Sequence, residues 1–289
     1  DFLADRTVDF IDENADGPFC YMLSLPDPHG PNRVRPPYDT MFDDIDFKEP
    51  LTMRNRPEDP PSWGTRKAKN LRDRSMADYF GMVKCIDDNV GKILDALRER
   101  DLMDNTIVVF TADHGDLCGE HARHNKGNPY EMSARIPFVM YYPEKVSAGT
   151  VIDESLGCVD FLPTIISLMG FDTAGKEQGR DASALFRTGR APAKWDDVTF
   201  CRGTGNGLTA TWVGAVTDRY KLVYTANCEP WLFDLEKDPD ELKNFFGDSD
   251  YRGVVRELSR KILAYGRRYG DPYIKHDGIK SDLEKAAQD

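Results

Sequence analysis

Residues 106–115 read Thr106-Ile107-Val108-Val109-Phe110-Thr111-Ala112-Asp113-His114-Gly115. An unbroken run of β-branched and aromatic side chains predicts a strand buried on both faces, the kind found in the sheet of an α/β protein. At its end stand a carboxylate, an imidazole and a glycine. Open α/β sheets take their ligands at the carboxyl ends of the strands, so chemistry is expected at this point.

Upstream, Met76, Tyr79, Phe80, Val83, Ile86, Val90, Ile93, Leu94 and Leu97 recur at steps of three and four, and Ser75 with Asp78 forms a capping-box pair, so a helix leads into the strand. Residues 18–25 (PFCYMLSL) predict a further buried strand, followed over 26–74 by a long Pro-, Asp- and Arg-rich excursion. Downstream, a strand over 136–142 and a helix over 160–169, closed by Gly170 and with Pro163 in its first turn, continue the alternation. The expectation is α/β: a mostly parallel sheet flanked by helices, in a domain covering residues 1–190. Over residues 191–289 the period changes to two (208–217, 220–225, 231–235), which predicts a small antiparallel sheet; a helix bearing Val254, Val255, Leu258, Ile262 and Leu263 follows. The tail after Tyr273 is polar and is expected to fray.

The 289 residues are 40% hydrophobic, enough for one large domain with a smaller appendix. A net charge of −12 without any basic block argues against nucleic acid as a partner. No apolar run approaches the roughly 18 residues needed to span a bilayer, so no membrane association is expected. Asp1 to Arg6 lack the basic-then-apolar order of a signal peptide and open inside an amphipathic pattern, so sequence upstream is expected. Six cysteines without a Cys-x-x-Cys pair read as free thiols, with a Cys201–Cys228 bridge kept open.

The densest chemistry lies in residues 111–127, which hold three of the five histidines. Asp113 can offer oxygens to a hard cation, and Gly115 can turn the chain sharply beside it. Lys126, between Asn125 and Gly127, can meet an oxyanion as a point charge. Arg123 and His124 lie between these and are candidates for lining a substrate pocket, while Glu120 and His121 read as bracing the loop. The ordinary alternatives are an N-capping aspartate on a surface loop and solvated basic side chains. A second candidate, His29 in Ser24-Leu25-Pro26-Asp27-Pro28-His29-Gly30-Pro31, is held between prolines and a glycine and suits hydrogen bonding to an anion or protonation of a leaving oxygen. Trp212 and Trp231 read as core of the small sheet rather than as a sugar platform.

Three stretches carry a family likeness. DHGDLCGEHARHNKGNPYEMSARIPFVMYYP resembles the second signature region of the sulfatases, SLPDPHGPN their Pro-His segment, and YKLVYTANCEPWLFDLEKDPDELKNF their C-terminal subdomain. The resemblance implies the C-terminal portion of an alkaline-phosphatase-like α/β domain, with residues 191–289 as an α+β subdomain. It also implies hydrolysis of sulfate esters by a formylglycine beside a divalent cation, usually Ca2+. Asp113 and His114 would then be metal ligands, and Lys126 and His29 would contact the sulfate, with His29 assisting departure of the alcohol. A sulfated small molecule or glycan is the implied partner, and a periplasmic or secreted location follows from the family's habit. None of the six cysteines, and no serine, begins the C/S-x-P/A-x-R sequence from which formylglycine is made, and the Asp-Asp pair that the family carries in its N-terminal part is absent. The chain is therefore expected to be inactive alone, with the missing N-terminal part as its partner. A phosphonate or phosphate-ester hydrolase and a catalytically dead sulfated-glycan-binding module stay open.

Overall fold

The computed structural model describes residues 1–54, 61, 63, 76–203 and 211–288. Ser75 and residues 208–210, included above in a helix cap and a strand, lie outside the described residues. The chain divides into two compact units: residues 1–49, 69–109 and 140–144, and residues 50–68, 110–139 and 145–289.

In the first unit the helix α1 (Phe2–Asn14) packs on α3 (Met76–Glu99) through Ile11, Ala96 and Leu97, with Val8, Phe19 and Ile93 around them. Residues three, four and seven apart share a helix face, so the apolar spacing in both segments produces this contact. The Tyr38 hydroxyl donates to Asp88 at 2.8 Å, and the Tyr38 carbonyl lies where a Cβ on Gly81 would be, 2.3 Å away; only glycine fits there. Residues 18–25 form no strand, against expectation. A strand needs a ladder of backbone hydrogen bonds, and this segment is instead anchored by rings. Phe10 of α1 meets Phe19 edge-on at 5.6 Å and stacks on Tyr21 at 4.4 Å, leaving Met22 exposed.

The strand predicted over 106–111 is β1 (Val108–Thr111), paired with β2 (Phe138–Tyr141) in a two-stranded sheet. In the second unit a short helical segment, α2 (Leu51–Arg54), precedes β1, and the turn α4 (Glu131–Ala134) precedes β2. The helices α5 (Phe161–Leu168) and α6 (Ser183–Thr188) follow, with Gly170 at φ 84° just beyond α5. The sheet that dominates this unit is antiparallel in the order β3 (Thr199–Gly203), β4 (Trp212–Val216), β5 (Tyr220–Thr225), β6 (Trp231–Asp234). Strand β3 escaped the sequence reading because its Thr-Phe-Cys-Arg-Gly sequence has no clear alternation.

Both faces of this sheet are covered. One face, Val213, Ala215, Leu222, Tyr224 and Leu232, packs on Val255, Leu258, Ile262 and Leu263 of α7 (Arg252–Tyr269). The other, Trp212, Val223, Trp231 and Phe233, packs on Leu117 and Tyr130 of the loop between β1 and β2. Each fully buried large apolar side chain contributes about 1.5–3 kcal/mol. Trp212 and Trp231 are thus core residues, as expected. The tail does not fray: Ile279, Leu283 and Ala286 line one face of α8 (Asp277–Ala286) and are buried in the same core as α7. His276 caps α8, its ring nitrogen accepting from the Gly278 N–H at 3.2 Å. All six cysteines are free; burial pushes the Cys201 thiol up to about 11.

Candidate functional site

The end of β1 is held by the Thr111 hydroxyl, which donates to the Pro137 carbonyl at 2.9 Å just before β2. The chain then emerges with Asp113 exposed and His114 half-buried. The His114 N–H donates to Asp113 Oδ1 at 3.0 Å, and the two side chains approach to 3.5 Å between Nε2 and Oδ2. His114 Nδ1 lies 2.7 Å from the Gly115 carbonyl. A carbonyl only accepts, so Nδ1 carries the hydrogen and the Nε2 lone pair faces the carboxylate. A carboxylate oxygen and an imidazole lone pair at that distance are two donors that one cation can share.

Gly115 is needed for space rather than for a special φ. A Cβ there would sit 2.1 Å from the Met132 carbonyl oxygen. That closeness lets the Gly115 N–H donate to the Ser133 carbonyl at 2.9 Å, while the Ser133 hydroxyl accepts from the Gly127 N–H at 3.0 Å. Two bonds to one residue keep the Gly115 and Gly127 nitrogens within about 10 Å of each other. Asp113 with His114 and Lys126 therefore leave from a common base on α4. Lys126 is exposed.

Between these ends the loop is strongly constrained. Cys118, His121, Ala122 and Asn125 have φ of 44–67°, a region most side chains avoid. Asp116 Oδ1 accepts from the N–H groups of Cys118 and Asn125 at 3.1 and 3.0 Å. The hydroxyl of buried Thr52, on α2, donates to Glu120 and accepts from the His121 N–H, and the His121 ring stacks on Tyr130 at 3.5 Å. Glu120 and His121 thus brace the loop, as read from the sequence. Arg123 is half-buried and its guanidinium donates to the Trp63 carbonyl; His124 is half-buried too. Sequence reasoning missed Ser133, Thr52 and Asp116, because single hydroxyls and carboxylates carry no periodicity.

His29 belongs to the first unit and is exposed in a turn closed by its own N–H to the Pro26 carbonyl at 3.0 Å. Its Nδ1 is 2.8 Å from the Gly30 carbonyl, so this ring also holds its hydrogen on Nδ1 and presents Nε2 outward. His29-Gly30 and His114-Gly115 share one device: the next carbonyl fixes the tautomer. Among the described residues no group of three or more His, Cys, Asp or Glu side chains is arranged to hold a metal ion. Two donors, Asp113 and His114, are too few for a calcium site of six to eight ligands, so they fit the cation only as part of a larger set.

Residues 1–171 match the model of the sulfatase family. The chain belongs to that family. Residues 119–268 also match the C-terminal region of N-sulphoglucosamine sulphohydrolase. Among sulfatases, the arylsulfatase of Clostridium perfringens is 31% identical over 276 residues, covering 91% of this chain and 56% of that protein. The N-acetylglucosamine-6-O-sulfatase of Bacteroides thetaiotaomicron is 29% identical over 202 residues, 68% of this chain and 36% of that one. This chain spans about half the length, or less, of these sulfatases. A protein solved in complex with its substrate D-glucosamine-2-N,6-O-disulfate superposes with a TM-score of 0.83 at 22% identity, over 94% of this chain and 70% of that one. The fold is accordingly the α/β fold of alkaline-phosphatase-like sulfatases, with the small antiparallel sheet present. No helix among the described residues is long and apolar enough to cross a membrane.

Proposed function

We propose that this chain is the C-terminal portion of a metal-dependent sulfatase acting on the sulfate esters of sugars, residues 1–190 belonging to its catalytic domain and 191–289 forming its C-terminal subdomain. The observation that carries the reading is the pair at the end of β1: an exposed Asp113 carboxylate 3.5 Å from a His114 Nε2 whose lone pair is directed by Nδ1. Asp113 and His114 would supply two ligands of a divalent cation, calcium by family habit, though an imidazole is a less natural partner of calcium than an oxygen. A cation bound there would neutralise the charge on sulfuryl oxygens. The remaining ligands and the formylglycine nucleophile would come from sequence beyond these 289 residues.

Lys126 would meet the same oxygens with its ammonium, stabilising the charge that spreads over them as the ester bond breaks. His29 would hold a proton at Nε2 for the departing alcohol. Because its Nδ1 hydrogen is already engaged by Gly30, it can do so only as the imidazolium. Arg123 and His124 would border the sugar side of the pocket. The likeness to the N-acetylglucosamine-6-O-sulfatase supports the preference for sugar sulfates.

The test is sulfate release from glucosamine 6-sulfate by the full-length protein, made in a host with the formylglycine-generating enzyme. Release that chelator abolishes and calcium restores is expected, with none from residues 1–289 alone. No release under any condition would leave a binding module, and faster cleavage of a phosphonate monoester would move the protein to its superfamily neighbours.

A further inference from the structure

One feature of the second unit is out of place in a sheet face built for packing. Lys221 on β5 is wholly buried on the sheet face that carries Val223 and Phe233, its ammonium 5.4 Å from the Phe233 ring centre. It pairs with Glu131 Oε1 at 2.8 Å and Glu241 Oε1 at 2.5 Å. Buried ion groups are expensive, and an apolar side chain of similar volume usually serves packing equally well or better. Packing therefore does not account for the lysine.

Its partners show what it does. Glu131 is the first residue of α4, and Glu241 Oε2 accepts the Glu131 N–H at 2.7 Å. Glu241 is buried and sits at φ 54°, so the Asp238-Pro239-Asp240-Glu241 turn holds a left-handed residue in order to deliver this carboxylate. Burial pushes the Glu241 carboxyl up by more than the Lys221 ammonium draws it down; burial draws Lys221 down, but Glu241 and Glu131 together hold it above the ordinary lysine value. Both ends of α4 are thereby occupied: the ionic group grips its start, and Ser133 grips Gly115 and Gly127. The Trp212 indole N–H, 3.4 Å from the Gly127 carbonyl, ties the same point to β4.

We propose that Lys221, together with Glu241, is a positioning residue for the pocket: it fixes α4, and α4 through Ser133 sets the separation of Asp113 and His114 from Lys126. This rests on the functional reading above, and goes beyond it by giving the C-terminal sheet a part in that site.

The test combines two readouts on the full-length protein carrying Lys221→Met or, as a milder break of the same chain of contacts, Ser133→Ala. In amide hydrogen exchange, peptides covering residues 113–127 should exchange about tenfold faster in both variants, while β5 peptides stay within about twofold. In steady-state kinetics with an aryl sulfate, KM should rise about tenfold or more, because the anion's contacts are displaced; a merely structural role reduces only the amount of active enzyme and leaves KM unchanged. Equal acceleration of loop and sheet, or no acceleration in either variant, overturns the proposal, as does an unchanged KM. Loop-confined exchange in a protein that hydrolyses no sulfate ester would support the positioning role and remove only the reading of what the pocket binds.

Discussion

The loop from Asp113 to Gly127 and the strands β4, β5 and β6 lie against each other in one unit, yet they are built on opposite terms. Between residues 118 and 127 the backbone enters the left-handed region at Cys118, Gly119, His121, Ala122, Asn125 and Gly127, whereas no residue of β4, β5 or β6 does so. The strands are held by a continuous ladder, Trp212 opposite Thr225 through Tyr220 opposite Asp234. The loop is held by single polar atoms: the hydroxyls of Thr52 and Ser133 from outside it and the Asp116 carboxylate from within. A ladder distributes its load; a loop of this kind concentrates it. Regular structure here supplies the platform, and the irregular segment leaning on it presents the charged groups.

Substitutions can sharpen or break that contrast. The largest effect is expected from Asp113→Ala in the full-length protein: loss of the proposed metal ligand should lower kcat/KM for a sulfate ester by about a thousandfold or more. Its urea midpoint should barely move, because the carboxylate is 87% exposed. If stability falls instead of activity, the loop is part of the framework and the contrast fails. Next comes Leu283→Ala in α8, fully buried, which should cost about 2–5 kcal/mol by urea denaturation with KM unchanged. A cost near zero would restore the frayed tail.

A smaller effect is expected at Asp234, fully buried on β6. Burial alone would raise its carboxyl, but two bonds from Arg219 and one each from the Tyr251 hydroxyl and the Lys237 N–H hold it down, at about 2. A lowered folded-state value means stability that is present above the ordinary aspartate range and lost as pH falls toward 2. The contribution is on the order of 2 kcal/mol. Asp234→Asn should flatten the acid limb of a stability–pH curve by that amount; an unaltered limb would place the acid sensitivity elsewhere. The smallest effect belongs to Met22→Ser, whose side chain is 88% exposed: a change within about 0.5 kcal/mol in urea midpoint.

What could be read from the sequence follows the same division. Periodicity located α3, α5, α7, β5 and β6 to within a few residues, because burial on one or both faces writes a repeat into the side chains. It failed for residues 18–25, where an apolar run is pinned by Phe10 rather than paired. It failed again at α8, where Ile279, Leu283 and Ala286 are a stripe thinned by Lys, Ser and Asp between them. Asp113, His114, Lys126 and His29 could be picked out of the sequence as candidates, because carboxylate, imidazole and ammonium advertise their chemistry. Ser133 and Lys221 could not: a serine and a lysine reveal a bracing role only when their partners, far away in sequence, are in place.

His29 and Lys126 are proposed to meet one anion beside Asp113 and His114. A crystal structure of the full-length protein grown with inorganic sulfate tests it most directly. The expected result is one sulfate within hydrogen-bond distance of both His29 Nε2 and Lys126 Nζ; His29 Nε2 tens of ångströms from the Asp113 carboxylate would contradict it.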